Sequence, residues 1–235
     1  DGKLCAIAKE RLEQGKWLLE FEEAEGLKDR LEDVGLPPLP PYIERRNASD
    51  LQNAEDRERY QTCFAAEPGA IAAPTAGLHF TPEILTEIRN RGIDILEVTL
   101  HVGVGTFSSI DQEDIRKHRM HAEFFSVSSQ TLRRLKVYRN NNKQMINVGT
   151  TSVRVLETLA RQNFKEGSGW TDIFIYPPWE FRMTDGLLSN FHLPKSTLLL
   201  LVSAFCGREL LLSSYQCAVT EKYRFLSYGD CMLIL

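Results

Sequence analysis

Histidine is the side chain best suited to carry protons near neutral pH, and all five histidines of this 235-residue chain sit in or beside loops rich in Gly, Pro, Thr or basic residues. His79 lies in Thr75-Ala76-Gly77-Leu78-His79-Phe80-Thr81, and His101 opens His101-Val102-Gly103-Val104-Gly105-Thr106-Phe107. His118 and His121 flank Arg119-Met120, and His192 stands in Asn190-Phe191-His192-Leu193-Pro194-Lys195-Ser196-Thr197. A lone histidine is more often structural than catalytic. Placement together at strand ends and helix starts points to some of them lining one pocket. His118-x-x-His121 has metal-ligand spacing, yet no Cys or carboxylate pair completes a set and the Arg and Lys neighbours repel a cation. No metal is expected.

Three loops offer backbone N–H groups to an anion. Gly103-Val104-Gly105-Thr106 follows an expected strand, Gly149-Thr150-Thr151 joins a strand to a helix, and Lys195-Ser196-Thr197 sits at a helix start. Helix N-termini bind phosphate or carboxylate through free N–H groups and the dipole. Neither GxxxxGK nor GxGxxG spacing is present, so kinase, ATPase and Rossmann dehydrogenase readings have little support. Segment 128–143 keeps Leu132, Leu135 and Tyr138 on one stripe and turns Arg133, Arg134, Lys136, Arg139 and Lys143 outward. That pattern suits a phosphate backbone, and equally an ordinary solvated helix. Trp170, Trp179 and the Tyr176/Phe181 neighbourhood would stack on bases or fill a core.

The elements that must position these residues read as follows. Residues 1–26 have β character, with Trp17, Leu19 and Phe21 on one face. A short charged helix over 27–34 stops at Gly35. Four prolines within residues 37–41 exclude helix and central strand, giving a stiff connector and a domain boundary. Beyond it the pattern alternates: a helix over Ala54–Ala65, a strand over Ala70–Ala73, and a helix capped by Thr81 with Pro82 first and Gly92 as its stop. There follow a strand over Ile93–His101, a basic helix from Ser128 or Ser129, a strand over Met145–Val148 and a helix over 153–162. Next come a strand over Asp172–Tyr176, an apolar helix opened by Pro194, a helix over 210–223 and a last strand over Asp230–Leu235. The expectation is an α/β layer fold with ligands at loops that follow strand ends.

Composition bounds the class. Hydrophobic residues at 43% and charged ones at 26% are those of a globular protein large enough to bury a core. A net charge of −4 excludes a uniformly basic nucleic-acid binder, but charge is unevenly spread. Glu10–Asp33 holds nine acidic and four basic residues, whereas Arg116–Lys165 holds eleven basic and two acidic ones. A polyanion would be drawn to the second region. Five scattered cysteines with no CxxC pair argue against a disulfide framework or zinc ribbon and for reduced thiols in the cytoplasm. No signal peptide opens the chain, and the longest apolar run, Leu198–Ala204, is too short to span a bilayer. The first residue is Asp rather than Met, so a fragment, processed form or trimmed form is expected.

Taken in order, these motifs resemble one family. They comprise Pro40-Pro41-Tyr42-Ile43-x-Arg45, Glu58-Arg59-Tyr60-Gln61-Thr62, Ala72-Ala73-Pro74 running through Thr81, Thr99-Leu100-His101-Val102-Gly103-x-Gly105-Thr106-Phe107 and His118-x-Met120-His121-x-Glu123. Val148-Gly149-Thr150-Thr151, Asp185-Gly186, Asn190 through Thr197 and Tyr228-Gly229-Asp230 complete the set. The chain is identified by them, from about residue 36 to its end, as resembling the S-adenosylmethionine:tRNA ribosyltransferase-isomerases of the queuosine pathway. It departs from that pattern in Pro177-Pro178, where Pro-Gly is usual, in Cys206 and Cys231, where small residues are common, and in lacking the family's N-terminal portion.

The resemblance implies an α/β catalytic domain over 48–235, and over 1–47 the end of an inserted β-barrel domain plus the Pro-rich connector. It implies S-adenosylmethionine consumed as a ribosyl donor, no metal, and transfer with isomerisation of the ribosyl unit onto 7-aminomethyl-7-deazaguanine at the tRNA wobble position. The products are epoxyqueuosine, adenine and methionine. Such chemistry needs a base beside the sulfonium, an acid for departing adenine and a place for phosphates. His101 or His79 is expected as the base and His192 as the other proton carrier. Asp230 or Glu123 would orient a histidine or hold a ribose hydroxyl. Thr75, Gly77, Gly103, Gly105, Thr106, Gly149, Thr150, Thr151, Lys195, Ser196 and Thr197 are expected to bind substrate. Arg116, Lys117, Arg119, Arg133, Arg134, Lys136 and Arg139 would take the anticodon arm. A cytoplasmic monomer with no membrane partner is expected. Two rival classes are a non-catalytic RNA-binding fragment and an S-adenosylmethionine-dependent RNA methyltransferase.

Overall fold

The computed structural model describes residues 4–12, 17–22, 25–45, 49–103, 105, 110, 112 and 114–235. It begins with an antiparallel hairpin, β1 (Ala6–Arg11) and β2 (Trp17–Phe21), in which Ala6 faces Phe21. The face shared by Trp17 and Leu19 stays about half exposed, at 53% and 48%, so the described residues do not cover it. Helix α1 (Leu27–Val34) ends at Gly35, as the sequence predicts. In the Pro-rich connector that follows, Pro40 is fully buried. Asp56 fastens the connector. This buried carboxylate accepts Arg45 Nε at 2.6 Å and Nη2 at 3.1 Å, and the Tyr228 hydroxyl at 3.1 Å. Those bonds, Arg45 foremost, hold its pKa below the usual carboxylate range. Asp56 lies on α2 (Asp50–Arg59), which starts earlier than the expected Ala54 because Ser49 and Gln52 form a capping box, and ends at Arg59 instead of Ala65.

Two small sheets carry the rest. One is antiparallel, in the order β3 (Thr99–Leu100), β4 (Glu123–Ser126), β6 (Ser168–Thr171). The other has β7 (Gly186–Asn190) at its centre, parallel to β5 (Ile146–Val148) and antiparallel to β8 (Cys231–Ile234). The long strand expected over Ile93–His101 pairs only at Thr99–Leu100. The one expected over Ala70–Ala73 is a single bond, Ile71 N–H to the Val102 carbonyl at 2.8 Å, instead of a ladder. The strand expected over Asp172–Tyr176 lies at Ser168–Thr171, where β4 offers its edge.

Between the sheets runs α5 (Gly149–Arg161), buried along nearly its whole length. It begins at Gly149, ahead of the expected 153, because glycine at φ 84° lets the strand turn straight into the helix. Val155, Leu156, Leu159 and Ala160 join Phe125 and Leu135 in one core, while Val153 joins Leu187, Leu201 and Val202 in the other. Glu157, fully buried on α5, is satisfied by Arg161 Nη1 at 3.0 Å and by the amides of Arg182 and Met183, both at 2.9 Å. The basic α4 (Ser129–Asn140), capped by Ser128, adds Leu135 to the first core, whereas α3 (Pro82–Asn90), capped by Thr81, has no buried residue. The apolar α6 (Thr197–Cys206) is capped by Ser196 rather than opened by Pro194, and α7 (Arg208–Thr220) follows it. Among the described residues no single helix is long and apolar enough to cross a membrane. The fold is mixed α/β.

Candidate functional site

Parallel strands bring their carboxyl ends to one edge, and an α/β sheet binds its ligands there. The carboxyl ends of β5 and β7 open on a cavity of about 350 Å³, within the roughly 300–1,000 Å³ usual for small-molecule sites. Sequence segments far apart meet in its wall: Tyr42 of the connector, Thr75 and Ala76, Val102, the start of α5, residues 189–194, and Ser227. Tyr42 and Ser227 are tied together by a 2.7 Å hydroxyl–hydroxyl hydrogen bond.

Of the expected substrate-binding residues, Thr75, Gly149, Thr150, Thr151 and Ser196 line the cavity. The start of α5 has no side-chain cap, so its first amides are left to whatever occupies the cavity. Arg154, one turn further on, was not singled out by sequence reasoning. Among the described lining residues it alone carries a permanent charge. Its guanidinium is buried, with Nη1 donating to Glu123 Oε2. Its Nε and Nη2 are enclosed and have no partner. The other oxygen of Glu123 accepts the Gly103 amide at 2.8 Å.

The histidines divide. His192 lines the cavity; its Nε2 lies 2.8 Å from Ser189 Oγ, and its backbone N–H donates to the Tyr215 hydroxyl at 2.8 Å. The residue lines the cavity and is half-buried by surface. The protein packed around it nevertheless desolvates the charged form and holds the pKa down to about 4. His79 stands behind the wall, its Nε2 at 3.2 Å from Asn190 Nδ2. The same amide donates to the Leu226 carbonyl at 3.1 Å, which fixes the Asn190 NH₂ group on that side. His79 Nε2 therefore accepts, and the proton of its neutral ring sits on Nδ1. Burial lowers the His79 pKa, outweighing the nearby Asp230. His101 stacks on Phe124 with 5.9 Å between centroids, and its buried Nδ1 has no partner. Its neighbour Val102 lines the cavity. Asp230 is engaged with Arg224, accepting the backbone N–H at 2.7 Å and Nη2 at 2.9 Å.

The remaining expected substrate residues lie elsewhere. Gly77 is buried against Phe64 and Thr62, Gly103 already donates to Glu123, and Gly105 packs on the His121 ring. Thr106 falls outside the described residues. Lys195 is exposed in the left-handed region at φ 57°, its carbonyl accepting the Ile110 amide at 2.9 Å. Thr197 is the buried first residue of α6. His118 rests on the Phe174 ring. Among the described residues no cluster of His, Cys, Asp and Glu is arranged to hold a metal ion.

The basic residues are surface groups of two kinds. Arg116 pairs with Asp114 at 2.8 Å, Arg134 with Asp94 at 2.6 Å, and Arg139 with Asp185 at 3.5 Å. Lys117, Arg119, Arg133 and Lys136 are exposed.

Residues 3–234 match a family described as queuosine biosynthesis protein. The S-adenosylmethionine:tRNA ribosyltransferase-isomerase of Halothermothrix orenii is 48% identical over 237 residues, covering 100% of this chain and 67% of that protein. The one from Sulfurihydrogenibium sp. is 53% identical over 209 residues, covering 89% of this chain and 60% of the relative. A solved structure, the S-adenosylmethionine tRNA ribosyltransferase of Thermotoga maritima, superposes with a TM-score of 0.57 at 34% identity, covering 100% of this chain and 63% of that one. This chain spans about two thirds of the length of these relatives.

Proposed function

This chain belongs to the queuosine biosynthesis protein family, and on that premise we propose that it is an S-adenosylmethionine:tRNA ribosyltransferase-isomerase. S-Adenosylmethionine serves as ribosyl donor, and the acceptor is the aminomethyl group of 7-aminomethyl-7-deazaguanine at the tRNA wobble position. The ribosyl unit is transferred and rearranged, adenine and methionine depart, and epoxyqueuosine remains in the tRNA. One observation carries this reading. Family motifs from distant parts of the sequence, Thr75–Ala76, Gly149–Thr151 and Asn190–Pro194 with Ser196, converge on one cavity at the carboxyl ends of parallel strands.

The residues divide the labour as follows. The sulfonium acidifies the carbon beside it, so a neutral imidazole suffices as base. His101 stands next to Val102 of the cavity wall and has an enclosed ring nitrogen without a partner, whereas the Nε2 lone pair of His79 is taken by Asn190. We therefore assign the base to His101 and give His79 a donating role through Nδ1. His192, kept neutral, orients through Ser189 and relays a proton to the leaving group. Asp230 sets the field near His79 rather than touching substrate. The α5 amides take an anionic group of the donor. The anticodon arm lies along Lys117, Arg119 and α4. Residues 1–47 are the end of an inserted barrel domain with its connector, and the protein works as a monomer in the cytoplasm.

Release of adenine tests the reading. With S-adenosylmethionine and tRNA carrying 7-aminomethyl-7-deazaguanine, chromatography is expected to detect free adenine, and none with tRNA lacking that base. A methylated product with S-adenosylhomocysteine in place of adenine would overturn it.

A further inference from the structure

We propose that Arg154 selects the donor by its carboxylate: the Nε–Nη2 edge of the guanidinium takes the amino-acid carboxylate side-on, next to the first amides of α5. The inference rests on S-adenosylmethionine being the donor, and it adds a residue and a chemical criterion to that reading.

Three observations carry it. Arg154 is 5% exposed and lines the cavity, yet two of its three nitrogens have no partner. A native protein rarely leaves buried donors of a charged group unpaired, because burial strips their water. The unpaired nitrogens are, moreover, the two that form one edge of the fork, the geometry that matches the two oxygens of a carboxylate with parallel hydrogen bonds. Finally, Arg154 belongs to α5, whose uncapped N-terminal turn opens on the cavity that Arg154 lines and presents free N–H groups and the positive end of the helix dipole. Glu123 does not compete for this role. Its Oε2 holds Nη1 and its Oε1 holds the Gly103 amide. It braces the guanidinium from behind and ties it to the loop that follows His101. A backbone phosphate has the same two-oxygen chemistry, but the depth of Arg154 favours a small ligand that enters the cavity whole.

The test compares S-adenosylmethionine with its decarboxylated analogue by calorimetry, so that binding is read apart from turnover. The unaltered chain is expected to bind S-adenosylmethionine about 10- to 100-fold more tightly, the worth of a charge-assisted pair. Arg154→Lys keeps a cation against Glu123 but loses the fork. Most of that preference should vanish, with affinity for the analogue and for tRNA unchanged. The comparison of the two ligands on the unaltered chain needs no variant, so it stands even if Arg154→Lys does not fold. Equal affinity for both ligands, or a preference that survives in Arg154→Lys, overturns the proposal. So does a loss of tRNA affinity with donor affinity intact, which would place a backbone phosphate on that edge. Adenine release alongside any of these outcomes leaves the reaction assignment standing; absence of adenine together with absence of S-adenosylmethionine binding removes both.

Discussion

At the scale of single residues, the site is governed by who holds each imidazole. His192 is neutral down to about pH 4, and His79 is also pushed below the ordinary value of 6.5, both by desolvation. In the unfolded chain these rings gain a proton near pH 6.5, so the unfolded state binds more protons than the folded one between that value and the folded pKa. Stability from this source is complete above pH 6.5 and is lost as the pH falls toward 4. Melting temperature should therefore drop between pH 7 and pH 5, and His192→Gln should flatten that slope. An unaltered slope would show that His192 is not held neutral. From their Gly- and Pro-rich loops the sequence suggests that some of the histidines line one pocket; among them His192 lines the cavity, while His118 rests on Phe174 and His121 on Gly105. Their division of roles was not legible in the sequence. It depends on Asn190, whose amide reaches His79 across 111 positions of chain, a contact that no local spacing announces. Arg154 was missed for a related reason. In sequence it looks like one more cation of a basic stretch, and only its burial beside Glu123 sets it apart.

At the scale of elements, the turn from β5 into α5 does the positioning. Gly149 at φ 84° lets the chain enter the helix at once, and a Cβ there would approach Thr151 Oγ1 to 3.2 Å. Gly149→Ala is expected to cost about 1–2 kcal/mol of stability, the penalty for a side chain in left-handed backbone. It should also weaken donor binding, since the shifted turn re-aims the amides of Thr150 and Thr151. Denaturant melts and calorimetry check the two effects. Helix caps were legible: Thr81 is found in place, and of the two candidates Ser128 and Ser129 the structure has Ser128 as the cap. Strands were less so. β7 was not foreseen, because Gly-Leu-Leu-Ser-Asn lacks the β-branched residues of a typical strand; what makes it central is pairing with β5 on one side and β8 on the other. Conversely, Ile93–Val98 has strong β-formers but pairs with no strand among the described residues, where only Thr99–Leu100 joins β4.

Across the whole molecule, charge is segregated as the sequence indicates, but the fold subtracts from it. Arg134 and Arg139 are matched by carboxylates brought from distant segments, Asp94 and Asp185, and Arg116 by its near neighbour Asp114. The tRNA contacts should fall on exposed cations such as Arg133 and Lys136. Neutralising both is expected to lower the slope of log affinity against log salt by about 1 per residue, whereas Arg134→Ala, already paired with Asp94, should leave it nearly unchanged. Binding titrations at several salt concentrations decide this, and equal effects of all three would refute the selection. α5 has a further consequence at this scale. It lies in both cores and is enclosed along nearly its whole length. Its interior amide protons can exchange with deuterium only when the two sheets part, so they report the opening of the entire domain, while the β1–β2 hairpin exchanges on its own. The helix that presents its first amides to the ligand is thus also the clock of global unfolding, and a tightly held ligand at its start would slow that clock throughout the domain.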